Sequence, residues 1–131
     1  MESGPALVSI LRQGNILVAS IHTALDDSQM VRFQRDLVER IGEYRSQGVI
    51  IDVDALDVID SFGTRTLRTI VEMARLRGAR TVIVGIRPEV AQAMVQLGMD
   101  AEGLATALDL EDGLSMLAEM ADNEAQRTSG R

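Results

Sequence analysis

"VIIDVDALDVIDSFGTRTL", residues 49–67, passes from an aliphatic run into a string of aspartates and then into an amphipathic segment. Val49, Ile50 and Ile51 show no polar alternation, which is the pattern of a strand covered on both faces. Beyond Asp60, the apolar positions Leu67, Ile70, Val71 and Ala74 fall three and four apart, the spacing of one helix face. A buried strand leading into a helix is half of a βαβ unit, so this stretch decides for a parallel α/β sheet. It also poses a chemical question. Asp52, Asp54, Asp57 and Asp60, followed by Ser61, stand where strand gives way to helix, the edge that carries function in open parallel sheets.

The flanking sequence extends the same alternation. Upstream, "ALVSILRQGNILVASIHTAL" reads as two short strands reversing at Gln13-Gly14-Asn15, a hairpin signal. Met30, Phe33, Leu37, Ile41 and Tyr44 then form a helix stripe, with Asp26 or Asp27 placed to cap its start and Gly48 to end it. Downstream, "RTVIVGI" is a strand and "RPEVAQAMVQLG" a helix with Pro88 in its first turn. "LATALD" is a short last strand. "LEDGLSMLAEMA" is a closing helix that Asp109 is placed to cap, and "DNEAQRTSGR" is an aperiodic tail. The expectation is a mostly parallel sheet of four to five strands, with an N-terminal hairpin and about four helices.

Composition narrows the function classes. The chain has 131 residues, the size of one domain, and 46% of them are apolar. Aromatics are 2%, so the core is aliphatic, with methionine as filler. There is no cysteine, which excludes disulfides and thiolate metal sites. A net charge of -7 makes the chain a poor partner for nucleic acid or an anionic membrane surface. No apolar run approaches the roughly 20 residues of a membrane span, and the N-terminus lacks a signal-peptide pattern. A cytoplasmic, soluble protein is expected.

The thirteen basic side chains are all arginine. That absence of lysine weighs on the chemistry of the acidic stretch. "VIIDVDAL" is like the nucleophile segment of the haloacid dehalogenase phosphatases, and covalent catalysis by aspartate is sound chemistry. Those enzymes hold the phosphoryl group with a lysine. Phosphorelay receivers share the α/β pattern, but they too use a lysine, and an acidic pair after the first strand, where this chain has "RQGN". A divalent cation at Asp52, Asp54 and Asp57 would lack the further oxygen donors of an EF-hand loop. The plain structural reading is that Ser61 caps the helix while the aspartates complement its dipole. His22, the one histidine, has no partner in sequence and reads as a strand-end residue.

The pattern Asp52-x-Asp54-x-Leu56-x-x-Ile59-Asp60-Ser61-x-Gly63-x-x-x-Leu67 resembles the phosphorylatable segment of STAS domains, the anti-sigma-factor antagonists and their relatives. The hairpin, the "TVIVGI" strand, the "VAQAMVQLGM" helix and "GLATALDLEDGL" carry the resemblance over about residues 5–121. "ALDVIDSFG" and "TALDLEDGL" are closer still to the RsbS type, the small single-domain STAS subunits of stressosomes. The resemblance implies a STAS domain over 1–121 and a flexible tail over 122–131. It implies a protein without catalytic activity or cofactor, acting as a phospho-switch and scaffold. The implied partners are a serine/threonine switch kinase with a histidine-kinase-like ATPase fold, a PP2C-type phosphatase, STAS paralogues of a stressosome and further copies of the chain. Ser61 is the implied phosphoacceptor, and release of the kinase on its phosphorylation regulates a stress response. Asp52, Asp54, Asp57, Asp60, Phe62 and Gly63 form the partner-binding switch loop.

The chain departs from the family at Asp54, where many antagonists have serine, and at Thr64-Arg65, where they have an apolar-glycine pair. Thr64 and Thr66 are then secondary acceptors or, on the preferred reading, ordinary helix-surface residues. A receiver-like aspartyl-phosphate domain and a nucleotide- or lipid-binding STAS module are the alternatives, the latter without a glycine-rich phosphate cradle.

Overall fold

The computed structural model describes residues 6–98 and 104–129. Residues 1–5 and 99–103 of the expected domain, and 130–131 of the expected tail, lie outside the described residues. β1 (Val8–Gln13) and β2 (Ile16–Ile21) pair antiparallel. β3 (Gly48–Asp52), β4 (Arg80–Val84) and β5 (Ala105–Ala107) add in parallel, in the order β1-β2-β3-β4-β5. Gly14 opens the two-residue reversal at φ +63°, a conformation in which a Cβ is strained.

The unbroken aliphatic run at 49–51 is explained by layers on both sides. Val49, Ile51 and Val53 point into the larger core with Leu37, Ile41, Leu67 and Ile70 of the helices. Ile50 points the other way, onto Val82, Val84 and Leu117. That second layer is thin: α4 (Leu110–Ser129) packs on β3, β4 and β5. Gly113 permits it, since a Cβ there would meet Val84 Cγ1 at 2.8 Å.

α1 (Asp27–Tyr44) starts at Asp26, whose Oδ1 accepts the Gln29 N–H at 2.8 Å while the Gln29 side chain accepts the Asp26 N–H. This reciprocal capping box satisfies two first-turn donors. Two expectations for this helix are corrected. It ends at Arg45, in the left-handed region at φ 51°, and not at Gly48. Gly48 begins β3, where a Cβ would press on Leu117 Cδ1 at 3.0 Å, so close packing is its role. Tyr44 leaves the buried stripe and Val38 joins it, because the stripe drifts around the helix over its 18 residues.

α2 (Ser61–Leu76) crosses the larger core face, and α3 (Pro88–Gln96) has Pro88 in its first turn. Asp109 Oδ1 accepts the Asp112 N–H at 2.9 Å at the start of α4. α4 runs on to Ser129 and does not stop at Ala121. Glu124, within the stretch read as aperiodic, pairs with Arg80 of β4, while Leu114, Leu117 and Met120 pack the preceding turns of the helix on the sheet.

Candidate functional site: the β3–α2 junction

The acidic stretch is held at fixed points along its length. β3 ends at Asp52, whose Oδ1 accepts the Asp54 N–H at 2.9 Å. The Val53 N–H donates to the Val84 carbonyl at 3.0 Å, and Arg87 Nε donates to the Asp54 carbonyl at 2.9 Å. Gly85 lies directly under this bend at φ +78°, where a Cβ would meet Asp54 Cβ at 2.9 Å. Val53 and Leu56 are buried and Ile59 packs on the core, so the apolar residues of the loop act as anchors. Asp54, Asp57, Val58 and Asp60 stay exposed between them.

The helix start corrects the sequence reading. Asp60, with extended backbone, is the N-cap, and its Oδ1 accepts the Gly63 N–H at 2.8 Å. Ser61 is the first helical residue and is exposed. Its hydroxyl is therefore not used in the cap. Gly63 is buried under this turn, since a Cβ would fall 3.0 Å from Ile59 Cγ1 and 3.2 Å from Asp60 Oδ1. Phe62 turns toward the core.

Thr64 and Thr66 are not surface residues. They are 3% and 5% exposed, and their hydroxyls donate to the Asp60 carbonyl at 3.0 Å and the Phe62 carbonyl at 2.8 Å. The rotation of α2 that buries Leu67 and Ile70 carries both threonines inward. The structure thus brings Asp57, Asp60 and Ser61 to one exposed edge and separates Phe62, Gly63, Thr64 and Thr66 from it.

Beside this edge an apolar hollow of about 260 Å³ lies between the end of β2, the start of α1 and the loop, lined by Ile21, Leu25, Met30, Leu56, Ile59 and Leu67. Neither it nor the roles of Gly85 and Arg87 was read from sequence. "GIRP" directly after a buried strand was the available signal, because that edge must lie beside the end of β3. Among the described residues, no group of three or more His, Cys, Asp or Glu is placed to hold a metal ion. His22 follows β2 and bonds Ser9 Oγ of β1 through Nε2 at 3.0 Å. No helix among the described residues is long and apolar enough to cross a membrane.

A hairpin-led parallel sheet with an Asp-Ser helix start at the end of its central strand defines a class. A STAS-domain profile matches residues 8–113, and the chain belongs to the STAS-domain family. Within it, the chain is RsbS-like. It is 38% identical to RsbS of Moorella thermoacetica, solved as a serine-to-glutamate variant, with a TM-score of 0.81 over 89% of this chain and 99% of that one. It is 34% identical to a chain of the stressosome, described as a signal integration and transduction hub, with a TM-score of 0.73 over 86% and 98%. It is also 33% identical over 110 residues to RsbRA of Bacillus subtilis (strain 168), an RsbT co-antagonist protein. That match takes in 84% of this chain but spans 40% of the length of RsbRA.

Proposed function

We propose that the chain is a non-catalytic phospho-switch and scaffold subunit of a stressosome-like assembly. It binds a serine/threonine switch kinase of histidine-kinase-like ATPase fold, is phosphorylated by it on Ser61, and then releases it to act in a stress response. A PP2C-type phosphatase resets the switch, and STAS paralogues and further copies of the chain complete the scaffold. The likeness to RsbS, to a stressosome chain and to an RsbT co-antagonist supports the scaffold part.

One observation carries the switch part. Ser61 is an exposed hydroxyl at the first position of α2, while the neighbouring Thr64 and Thr66 are buried with their hydroxyls bonded. A phosphate on Ser61 adds about -1.5 to -2 charge at the positive end of a helix, which the fold tolerates. It also adds to the charge of the adjacent Asp60, inside a Debye length of about 8 Å, on a loop where Asp57 is exposed as well. The edge becomes strongly anionic without refolding, and a partner that docks there through apolar or acidic groups is expelled.

The test is phosphosite mapping after incubation with the cognate kinase and ATP. Label at Ser61, absent from Ser61→Ala, is the expected result. Label on Thr64 or Thr66, or undiminished label in the variant, contradicts the assignment.

A further inference from the structure

β1 is the outermost strand of the sheet, and the hairpin fixes which of its backbone groups face outward. The His22 N–H donates to the Leu7 carbonyl at 2.8 Å, so residues 7 and 22 form a hydrogen-bonded pair. Such pairs alternate along an antiparallel ladder. With Ser9 opposite Ser20 and Leu11 opposite Val18, the residues bonding β2 are Leu7, Ser9, Leu11 and Gln13. The N–H and C=O groups of Val8, Ile10 and Arg12 therefore point away from the sheet. An edge of this kind is a template for another strand.

The side chains around the edge have their own pattern. Val8 and Ile10 pack on the larger core. Leu7 and Leu11 project to the opposite face, beyond the strands on which α4 packs, and are 40% and 64% exposed. On the core side, α1, the crossover from β2 to β3, runs in the same direction as β1. Arg12 stacks 4.7 Å from the Tyr44 ring, and Arg40 reaches the Ile10 carbonyl at 3.5 Å, the outer limit of a hydrogen bond. Asp36 lines the same groove one turn before Arg40. A helical turn of about 5.4 Å matches slightly under two strand residues, which sets Asp36 abreast of Val8.

We propose that a second copy of the chain adds its β1 antiparallel to this edge, about a two-fold axis through Ser9. This register is favoured because it answers each feature at once. Val8 exchanges both backbone bonds with the partner's Ile10, and Ile10 with the partner's Val8. Leu7 falls opposite the partner's Leu11, covering the two exposed leucines twice over. Asp36, above Val8, falls opposite the partner's Arg40, above Ile10, so the mixed charges of the groove complement themselves. Moving the axis to Ile10 would instead set Arg40 against its own copy. The edge lies two strands from β3, so this surface and the Ser61 switch stand or fall separately.

The chain has no cysteine, so an introduced one reports alone. Ser9→Cys places the two thiols in a pair with Cα atoms about 4.5 Å apart, within disulfide range. Mild oxidation of the folded S9C protein gives a covalent dimer in high yield. Gln13→Cys lies on the same face but roughly 25 Å from its copy and gives none. In sedimentation, Leu11→Asp and Asp36→Arg each weaken self-association at least tenfold, and the swap of Asp36→Arg with Arg40→Asp restores it. No cross-link in S9C, equal cross-linking of S9C and Q13C, or a charge swap that restores nothing overturns the pairing.

Discussion

Asp60 Oδ1 accepts the Gly63 N–H at 2.8 Å, so the residue before Ser61 caps α2 and leaves the Ser61 hydroxyl outside the cap. Cap and phosphoacceptor are thereby divided between adjacent residues. Asp60→Ala should cost about 1 kcal/mol in denaturant unfolding. Ser61→Ala should shift stability by no more than about 0.5 kcal/mol, as for an ordinary exposed position. A loss of similar size in both variants would mean that the serine shares the cap.

Gly85 and Arg87 hold the acidic loop from the neighbouring strand end. Gly85→Ala adds a Cβ at a left-handed φ of +78° and against Asp54 Cβ and backbone, atoms that cannot swing aside. It should destabilise by roughly 2 kcal/mol or more. Arg87→Ala removes the bond to the Asp54 carbonyl at an exposed position, with little effect on global stability. Its mark should be faster amide exchange at residues 54–56 with protection of β3 unchanged. Unchanged exchange there would show that the buried Val53 and Leu56 suffice.

Acid should loosen α1 from its first turn. The Gln29 N–H, then the Ser28 hydroxyl, hold the Asp26 carboxyl below its ordinary 3.8. A carboxylate lowered in the folded state stabilises it fully above the unfolded value, and the contribution is lost as pH falls from there through the folded value. Amide exchange in the first turn of α1 should therefore lose protection below about pH 4. Asp26→Asn should abolish that step while leaving the ends of the other helices unchanged. A step that persists in the variant would assign it to another carboxylate.

Much of this architecture was legible because burial leaves a pattern. The unbroken run at 49–51 required cover on both faces, and the three–four spacing after Asp60 required a helix over the core. The junction and its exposed serine followed from that order. The local assignments that failed turned on choices between neighbours. Asp60 and Ser61 are both good caps, and the buried Gly63 settles the choice, because its N–H meets Asp60. Gly48 resembled a helix stop but is needed small against Leu117, and the left-handed turn falls at Arg45. Thr64 and Thr66 are polar by composition but inward by the phase of α2, and their hydroxyls are satisfied by the preceding turn. The loop's hold on Gly85 and Arg87 joins residues more than thirty apart, which no local pattern records.

The central claim is that negative charge on Ser61 ends the hold on the kinase. The direct measurement is the affinity of the cognate kinase for the unmodified protein and for the protein stoichiometrically phosphorylated on Ser61, at the same salt and nucleotide concentration. The account predicts at least a tenfold loss of affinity on phosphorylation, none in Ser61→Ala treated identically, and only partial release by Ser61→Asp, which has about half the charge and lacks the three acceptor oxygens. Equal affinity of the kinase for the phosphorylated and unmodified forms would contradict it.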